Sequence, residues 1–144
     1  MNYIVADYLV MDLPPALSLL ASVVSVASKA CEVVRSVLIS KDLQIFEKGK
    51  SDLQTKADRN SQLCIVHSLK YNFPSLCVIG EEGELQSNDV SLCKDLDKYV
   101  LAQDCPKEFS DKKIGDFVVW VDPLDGTNEF VQVSASIVFY YISK

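Results

Sequence analysis

Hydrophobic side chains recur at steps of three and four over the first third of the chain, which is the spacing of one face of an α-helix. The predicted hydrophobic stripe consists of Leu17, Leu20, Val24, Ala27, Cys31, Val34 and Leu38. Two prolines at positions 14 and 15 suit the first turn of such a helix, because the first turn needs no backbone donor. We therefore predict a long amphipathic helix from Pro14 to about Ser40.

A second helix is predicted from about Asp58 to Asn72. Its inward-facing side chains would be Leu63, Val66 and Leu69, and Pro74 would end it. Polar residues dominate the later segment 84–115, where we expect irregular backbone with one helix near residues 90–101.

Short runs of hydrophobic residues between the helical stretches predict β-strands. These runs lie at residues 45–47, 76–79, 117–121 and 137–142. A polar loop would follow the first run through Gly49. The second and third runs contain no charged residue, which favours buried strands. Helices followed by buried strands predict a layered α/β or α+β fold.

The composition is that of a globular, mildly acidic chain. Of its 144 residues 49% are hydrophobic, and the formal net charge is −6. A disordered chain would be less hydrophobic, and a nucleic-acid or anionic membrane surface would attract a basic protein. We therefore expect no nucleic-acid partner and no membrane partner.

The amino-terminal residues do not predict a secretory signal, because no Lys or Arg precedes Lys29. The uncharged run 13–28 is shorter than the roughly 20 residues of a membrane-spanning helix. The five cysteines form no C-x-x-C pair, and Cys64 with His67 would supply only half of a zinc site. We expect a buried first helix, reduced thiols and a cytoplasmic location.

Acidic residues stand directly after the two predicted buried strands. Gly-Glu-Glu-Gly occupies positions 80–83, and Asp-Pro-Leu-Asp-Gly-Thr occupies positions 122–127. Carboxylates at strand ends can converge on the crevice where open sheets bind ligands, and such oxygen donors suit Mg²⁺. A plain turn remains an alternative, because Asp-Pro and Asp-Gly are ordinary turn dipeptides. The spacing fits neither a calcium EF-hand loop nor an aspartate-nucleophile phosphatase of the haloacid dehalogenase type.

Three motifs, in order along the chain, resemble the inositol monophosphatase superfamily of lithium-sensitive, magnesium-dependent phosphatases. Trp-Val-Asp-Pro-Leu-Asp-Gly-Thr at 120–127 looks like the signature of that family, and Ile-Gly-Glu-Glu at 79–82 matches its upstream glutamate motif. Ser-Asp-Leu-Gln-Thr-Lys-Ala-Asp-Arg at 51–59 looks most like the 3'(2'),5'-bisphosphate nucleotidases within it. The similarity runs from about Ser18 to Phe130.

The resemblance implies a metal site at the matching positions. Glu81, Asp122 and the carbonyl of Leu124 would hold one Mg²⁺, and Asp122 and Asp125 would share in a second. Two metal ions can activate a water molecule and neutralise the leaving oxygen of an in-line displacement.

The resemblance also implies which groups handle the water and the phosphate. Asp58 and the hydroxyl of Thr127 would orient and deprotonate the attacking water, although Asp58 could also serve as a helix N-cap. The amides of Gly126 and Thr127 would bind the phosphate if these residues open a helix.

At the level of the fold, the resemblance implies a layered sugar-phosphatase-type α+β architecture. Residues 13–130 would form its amino-terminal lobe, after a variable leader at 1–12 and before a divergent tail at 131–144. The family would continue with a second lobe, which we expect to be absent from this chain. A truncated gene model, a splice form or a fragment would explain that absence.

The reaction implied by the resemblance is removal of the 3'-phosphate of 3'-phosphoadenosine 5'-phosphate to give AMP. The partners would be a small phosphorylated nucleotide or an inositol phosphate, with an inositol polyphosphate 1-phosphatase activity as a related alternative. A different class of function is an inactive short form that docks on full-length subunits. The sequence predicts no oligomeric state.

Overall fold

The computed structural model describes residues 13–50, 52–87 and 89–132. Its elements in chain order are helix α1 (Pro15–Ser40), strands β1 (Phe46–Gly49) and β2 (Asp52–Gln54), helix α2 (Lys56–Asn72), strand β3 (Cys77–Gly80), helix α3 (Lys98–Leu101), 3-10 turns at Lys107–Phe109 and Ile114–Asp116, strand β4 (Val118–Val121) and helix α4 (Thr127–Val131). This mixture of helix and strand agrees with the predicted class. The leader, the strand expected at 137–142 and all of the tail beyond residue 132 lie outside the described residues.

Helix α1 has the predicted extent, but its buried face differs from the predicted stripe. Leu17 and Val34 are buried as expected, whereas Leu20 and Val24 are 43% and 37% exposed. The buried face instead follows Leu19, Ala21, Ser22, Val26, Ala30, Val34 and Val37. The predicted buried face was wrong because hydrophobic residues lie on most sides of this helix. Hydropathy alone therefore did not identify the side whose small residues let α2 approach closely.

By length and composition alone α1 could cross a membrane, a test that core helices also pass. Of its most hydrophobic 18-residue window, 44% is buried within the protein. In the described part of the chain, the inward side of α1 packs against α2 and the β3–β4 strands, as predicted for a buried helix.

Helix α2 begins two residues earlier than predicted because Thr55 caps it. The Thr55 side chain accepts a hydrogen bond from the helix backbone, and Asp58 reciprocates from the third helical position, which forms a capping box. Of the three predicted inward residues only Leu69 is fully buried, and Leu63 and Val66 are half-buried. Much of the buried face of α2 is polar and consists of Asp58, Ser61, Gln62 and Ser68.

The four described strands form two separate pairs. Strands β3 and β4 pair in parallel, with Cys77 opposite Val118 and Gly80 opposite Val121. Strand β1 overlaps the strand predicted at 45–47, but it extends through Gly49 and pairs with β2 in an antiparallel hairpin where a loop was predicted. The helix expected near 90–101 is reduced to α3. The expectation of buried strands was correct for one face only, because the described helices cover just one face of the β3–β4 pair. On the other face Trp120 is 57% exposed.

Two clusters of buried side chains hold these elements together. The larger one joins α1, α2 and the β3–β4 pair, and it includes Val26, Leu69 and Val121. The smaller one lies at the carboxyl end of α1 and includes Leu124 and Phe130 from the segment after β4. The smaller cluster therefore attaches that segment to the helices.

Candidate active site

Parallel pairing brings the acidic segments that follow β3 and β4 to one edge of the strand pair. We call residues 80–83 the first acidic turn and residues 122–127 the second acidic turn. The backbone N–H of Glu81 donates to the carbonyl oxygen of Val121 at 2.9 Å, so the parallel pairing continues into the start of the first acidic turn. This edge is where open sheets place ligands.

The first acidic turn is a tight turn whose backbone is bound by a side chain from α2. Gly83 donates its N–H to the carbonyl oxygen of Gly80 at 3.2 Å and has a φ of +67°, a region that favours glycine. The Gln62 Oε1 atom accepts from the N–H of Glu82 at 2.9 Å, and Gln62 Nε2 donates to the carbonyl oxygen of Gly83 at 2.8 Å. One amide side chain thus satisfies two backbone groups of this turn.

The side chain of Glu82 is bound by the β1–β2 hairpin. The Lys48 Nζ atom donates to both carboxylate oxygens of Glu82, at 3.1 and 2.9 Å, and Gln54 donates to one of them. The Glu82 side chain is 2% exposed and that of Lys48 is 30% exposed. This ion pair raises the pKa of Lys48 and connects the hairpin to the first acidic turn.

The carboxyl groups of Glu81 and Asp122 are close enough to interact across the two turns. Partial desolvation of the Glu81 carboxyl group, together with the charge of Asp122 and a hydrogen bond to it, raises the pKa of Glu81 to about 7. The charge of Glu82 acts in the same direction, and the nearby ammonium of Lys48 acts against it. Two carboxyl groups that repel each other in this way provide a site with excess negative charge.

A hydrogen bond joins α2 to the second acidic turn. The hydroxyl oxygen of Thr127 lies 2.9 Å from Asp58 Oδ1 and 3.2 Å from the carbonyl oxygen of Leu124. The backbone N–H and hydroxyl of Thr55 donate to Asp58 Oδ2 at 2.7 and 2.5 Å. Asp58 is 1% exposed, so its carboxylate is held between two threonines in a largely dry environment.

Burial holds the second acidic turn in place. Pro123 is fully buried, and Leu124 and Phe130 are 3% and 1% exposed. Helix α4 begins at Thr127 with Gly126 as its N-cap at a φ of +79°. Asp125 is exposed on the outer side of this turn.

The structure thus assembles the predicted site residues into two pairs, Glu81 with Asp122 and Asp58 with Thr127. The carbonyl of Leu124 is next to the second pair. Asp125 is exposed, as Glu81 and Asp122 are, but within the described ranges no hydrogen bond or ion pair joins it to either pair. Among the described residues no group of three or more His, Cys, Asp or Glu side chains comes together as a metal cluster. What the geometry provides is a carboxyl pair beside a buried aspartate–threonine pair.

Sequence reasoning missed three residues that hold these groups, namely Thr55, Lys48 and Gln62. A signal existed for Gln62, because Asp58, Ser61 and Gln62 are spaced three and four residues apart on one face of α2. Polar side chains on a buried helix face need hydrogen-bond partners, and here both acidic turns supply them.

None of the cysteines belongs to either of these two pairs. Cys64 and Cys93 are buried, and burial raises the pKa of the Cys64 thiol, which makes it a poorer nucleophile and metal ligand. His67 is half-buried and lines a cavity beside α2.

Sequence comparisons relate this chain to known phosphatases. The sequence model described as the inositol monophosphatase family matches residues 17–137. The chain is 48% identical over 118 residues to the Homo sapiens protein named 3'(2'),5'-bisphosphate nucleotidase 1, and 46% identical over 120 residues to the Rattus norvegicus protein of that name. A Dictyostelium discoideum protein of the same name is 35% identical over 118 residues. These alignments cover 79% of this chain but only 38% of each relative.

Proposed function

The chain belongs to the inositol monophosphatase family, and from that premise we propose that it provides catalytic groups for a cytoplasmic phosphomonoesterase that hydrolyses 3'-phosphoadenosine 5'-phosphate to AMP. In that reaction the oxygen of water bonds to the 3'-phosphorus, and the 3'-oxygen leaves with a proton, which gives AMP and inorganic phosphate. The observation that carries the proposal is the Asp58–Thr127 pair beside the Glu81–Asp122 pair at one edge of the parallel strands. The names of the human and rat relatives support a 3'(2'),5'-bisphosphate nucleotide as the substrate class, and 3'-phosphoadenosine 5'-phosphate is the substrate that the family resemblance implies.

Mg²⁺ is the cofactor of this proposal, and the carboxyl pair fits it. Partial desolvation and the neighbouring Asp122 raise the pKa of Glu81 to about 7, and a divalent cation would satisfy both carboxylates in place of the Glu81 proton. Glu81, Asp122 and the carbonyl of Leu124 would hold one ion, and Asp122 with Asp125 would share in a second. When bound, Mg²⁺ supplies positive charge for the phosphate oxygens and lowers the pKa of the attacking water.

The remaining groups act on protons and on the phosphate. Asp58 is the proton acceptor, and Thr55 fixes its orientation by occupying Oδ2 while Oδ1 faces Thr127. The hydroxyl of Thr127 has one proton, which it can donate either to Asp58 or to the carbonyl of Leu124. Its oxygen can also accept a hydrogen bond, so Thr127 can accept from a water molecule while it donates to Asp58. The amides of Gly126 and Thr127 would bind the phosphate.

The direct test is release of phosphate from 3'-phosphoadenosine 5'-phosphate by the purified 144-residue chain with Mg²⁺, with and without Li⁺. Turnover that requires Mg²⁺ and disappears in Asp122→Asn supports the proposal. The matched control is Asp104→Asn, because Asp104 is exposed outside the helices and strands and has no role in the proposed site. Equal turnover in the parent and in Asp122→Asn would exclude the assigned site. The same assay with an inositol polyphosphate as substrate tests the related 1-phosphatase activity.

One observation favours a second candidate function, that of a partner for full-length subunits. On the face of the β3–β4 pair that the described helices leave open, Trp120 is 57% exposed, Val118 43% and Ile79 38%, and exposed hydrophobic side chains that adjoin in this way are typical of interaction sites. Trp120 is the single tryptophan of the chain, so its fluorescence reports on this face. Docking on a full-length homologue would shift its emission to shorter wavelength, and an unchanged spectrum on mixing would argue against docking through this face.

A further inference from the structure

The side chain of Gln62 is buried in an unusual position, over the backbone of the first acidic turn. Gln62 is 2% exposed, and both polar atoms of its amide bond to that turn, at the N–H of Glu82 and the carbonyl oxygen of Gly83. Glu81, which the proposed function assigns to the metal, lies immediately before these two residues. A buried amide with two partners is rigid, and so is the backbone to which it bonds.

This arrangement depends on Gly80 having no side chain. A Cβ atom at residue 80 would lie 2.3 Å from the Cδ of Gln62 and 2.5 Å from its Nε2, closer than any real contact. Since φ at Gly80 is not in the left-handed region that favours glycine, the requirement for glycine here comes from the closeness of Gln62. Gln62 and Gly80 therefore form one structural unit.

The same face of α2 also contacts the second acidic turn. Asp58, one helical turn before Gln62, accepts from Thr127, and the hydroxyl of Ser61 lies 3.5 Å from the carbonyl oxygen of Pro123. Helix α2 is thus bonded to both acidic turns through neighbouring side chains. The two turns are therefore joined to each other by the strand pairing and to one helix by its side chains.

We infer that Gln62 is a positioning residue, which sets the location of the Glu81 carboxylate relative to Asp122 and the Asp58–Thr127 pair. It acts through the backbone of Glu82 and Gly83, and Gly80 provides the space that it needs. This inference rests on the proposed function, because it assigns Gln62 a role in holding a metal ligand. Contacts that orient metal ligands typically affect metal affinity by about 10- to 100-fold.

The test compares Mg²⁺ affinity, measured by isothermal titration calorimetry, in the full chain and in Gln62→Met. Methionine matches the length of glutamine but offers neither the donor nor the acceptor. We expect the dissociation constant for Mg²⁺ to rise about 10-fold or more in Gln62→Met. The matched control is Ser68→Ala, since Ser68 is buried on the same helix and accepts from the N–H of Cys93, far from both turns. It should lower stability and leave the Mg²⁺ affinity unchanged.

A second pair of variants tests whether the side chain of Gln62 depends on the space left by Gly80. This test holds even if Gln62→Met folds poorly. Gly80→Ala should weaken Mg²⁺ binding about 10-fold in the parent, because it displaces the Gln62 side chain. In a Gln62→Ala background the same substitution should have little further effect, since the space is then available. Equal effects of Gly80→Ala in both backgrounds would overturn the inference.

The outcomes separate this inference from the proposed function. A parent chain that binds Mg²⁺, with a folded Gln62→Met variant that binds it equally well, overturns the positioning role alone. A folded parent that binds no Mg²⁺ overturns the metal site of the proposed function and the positioning role together. Weaker binding in Gln62→Met and in Gly80→Ala, with Ser68→Ala unchanged, supports both.

Discussion

The two acidic turns follow adjacent parallel strands and lie at the same edge, yet they are held by different kinds of interaction. The first turn depends on side chains that are distant in sequence: Gln62 bonds to its backbone, and Lys48 bonds to the carboxylate of Glu82. The second turn is held mainly by burial, because Leu124 in the turn and Phe130 in the helix that follows it lie in the smaller cluster. The same type of position in a fold can therefore be stabilised by a polar network or by burial.

This difference determines what a substitution should do in each turn. Burial is a large and non-directional contribution, so loss of an anchor should affect the second turn through stability. Hydrogen bonds contribute less net stability but fix direction, so changes around the first turn should appear mainly in metal binding. Four predictions follow the comparison from the largest expected effect to the smallest.

Removing the anchor of the second turn should give the largest loss of stability. Phe130→Ala should lower the free energy of unfolding by about 3–5 kcal/mol, because Phe130 is 1% exposed in the smaller cluster. Urea unfolding measures this change. Leu69→Ala, in the larger cluster, is the control: it should cost about 2–5 kcal/mol without altering Mg²⁺ affinity in the folded chain. A loss below about 1 kcal/mol in Phe130→Ala would contradict anchoring by burial.

Removing the bond between α2 and the second turn should have an intermediate effect. Thr127→Val keeps the shape of the side chain but deprives the buried Asp58 of a donor, which should cost about 1–3 kcal/mol of stability. Phosphate release should fall steeply in the same variant. Thr127→Ser retains the hydroxyl and should keep most of both properties, and equal losses in the two variants would show that the hydroxyl is not what matters.

The carboxyl pair that bridges the turns should make Mg²⁺ affinity depend on pH. Mg²⁺ must displace the proton of Glu81, so affinity should rise by up to about tenfold per pH unit as pH approaches 7 and then level off. Without metal, the raised pKa of Glu81 stabilises the folded chain below the ordinary glutamate pKa, and this contribution is lost as pH rises to about 7. Calorimetric Mg²⁺ titrations between pH 5.5 and 8 (on the order of five points) measure the effect. If Mg²⁺ affinity depends on pH in the same way in Glu81→Gln, a group other than Glu81 is responsible for the pH dependence.

The ion pair of the first turn should give the smallest effect on stability. Lys48→Met removes the cation from the buried carboxylate of Glu82, which keeps Gln54 as a donor. This should cost about 1–2 kcal/mol and become smaller in high salt, because Lys48 itself is partly exposed. Lys50→Met is the control, because Lys50 is exposed in the neighbouring turn. A larger loss than in Phe130→Ala would reverse the comparison between the two turns.

The comparison also explains which features could be predicted from the sequence. The family resemblance is confirmed, because three ordered motifs are local patterns that require no knowledge of packing. The existence of α1, α2, β3 and β4 was predicted correctly from hydrophobic periodicity and from the residues that end each run. The second acidic turn could be recognised from the sequence because its motif consists of six consecutive residues, 122–127.

The remaining features depend on contacts between distant segments. The inward face of α1 was mispredicted because its small residues matter only where α2 approaches. Of the β1–β2 hairpin only the first strand was predicted, because β2 is three residues long and has almost no hydrophobic alternation to detect. Gln62 and Lys48 carry no motif, and their roles arise only when α2 and the hairpin are next to the first turn. The roles assigned to individual site residues remain predictions.

The parallel pairing of β3 with β4 has a consequence for the order of folding. Cys77 and Val118 are partners although residues 78–117 separate them, whereas α1 and α2 are joined by a short hairpin and can pack early. Closing the longer loop costs entropy before any contact offsets it, so β4 should join the assembly last. Glu81 and Asp122 would then be far apart until the final step. A newly synthesised chain would therefore become competent to bind the cation only on completion of folding, and metal binding could serve as a late reporter in a refolding experiment.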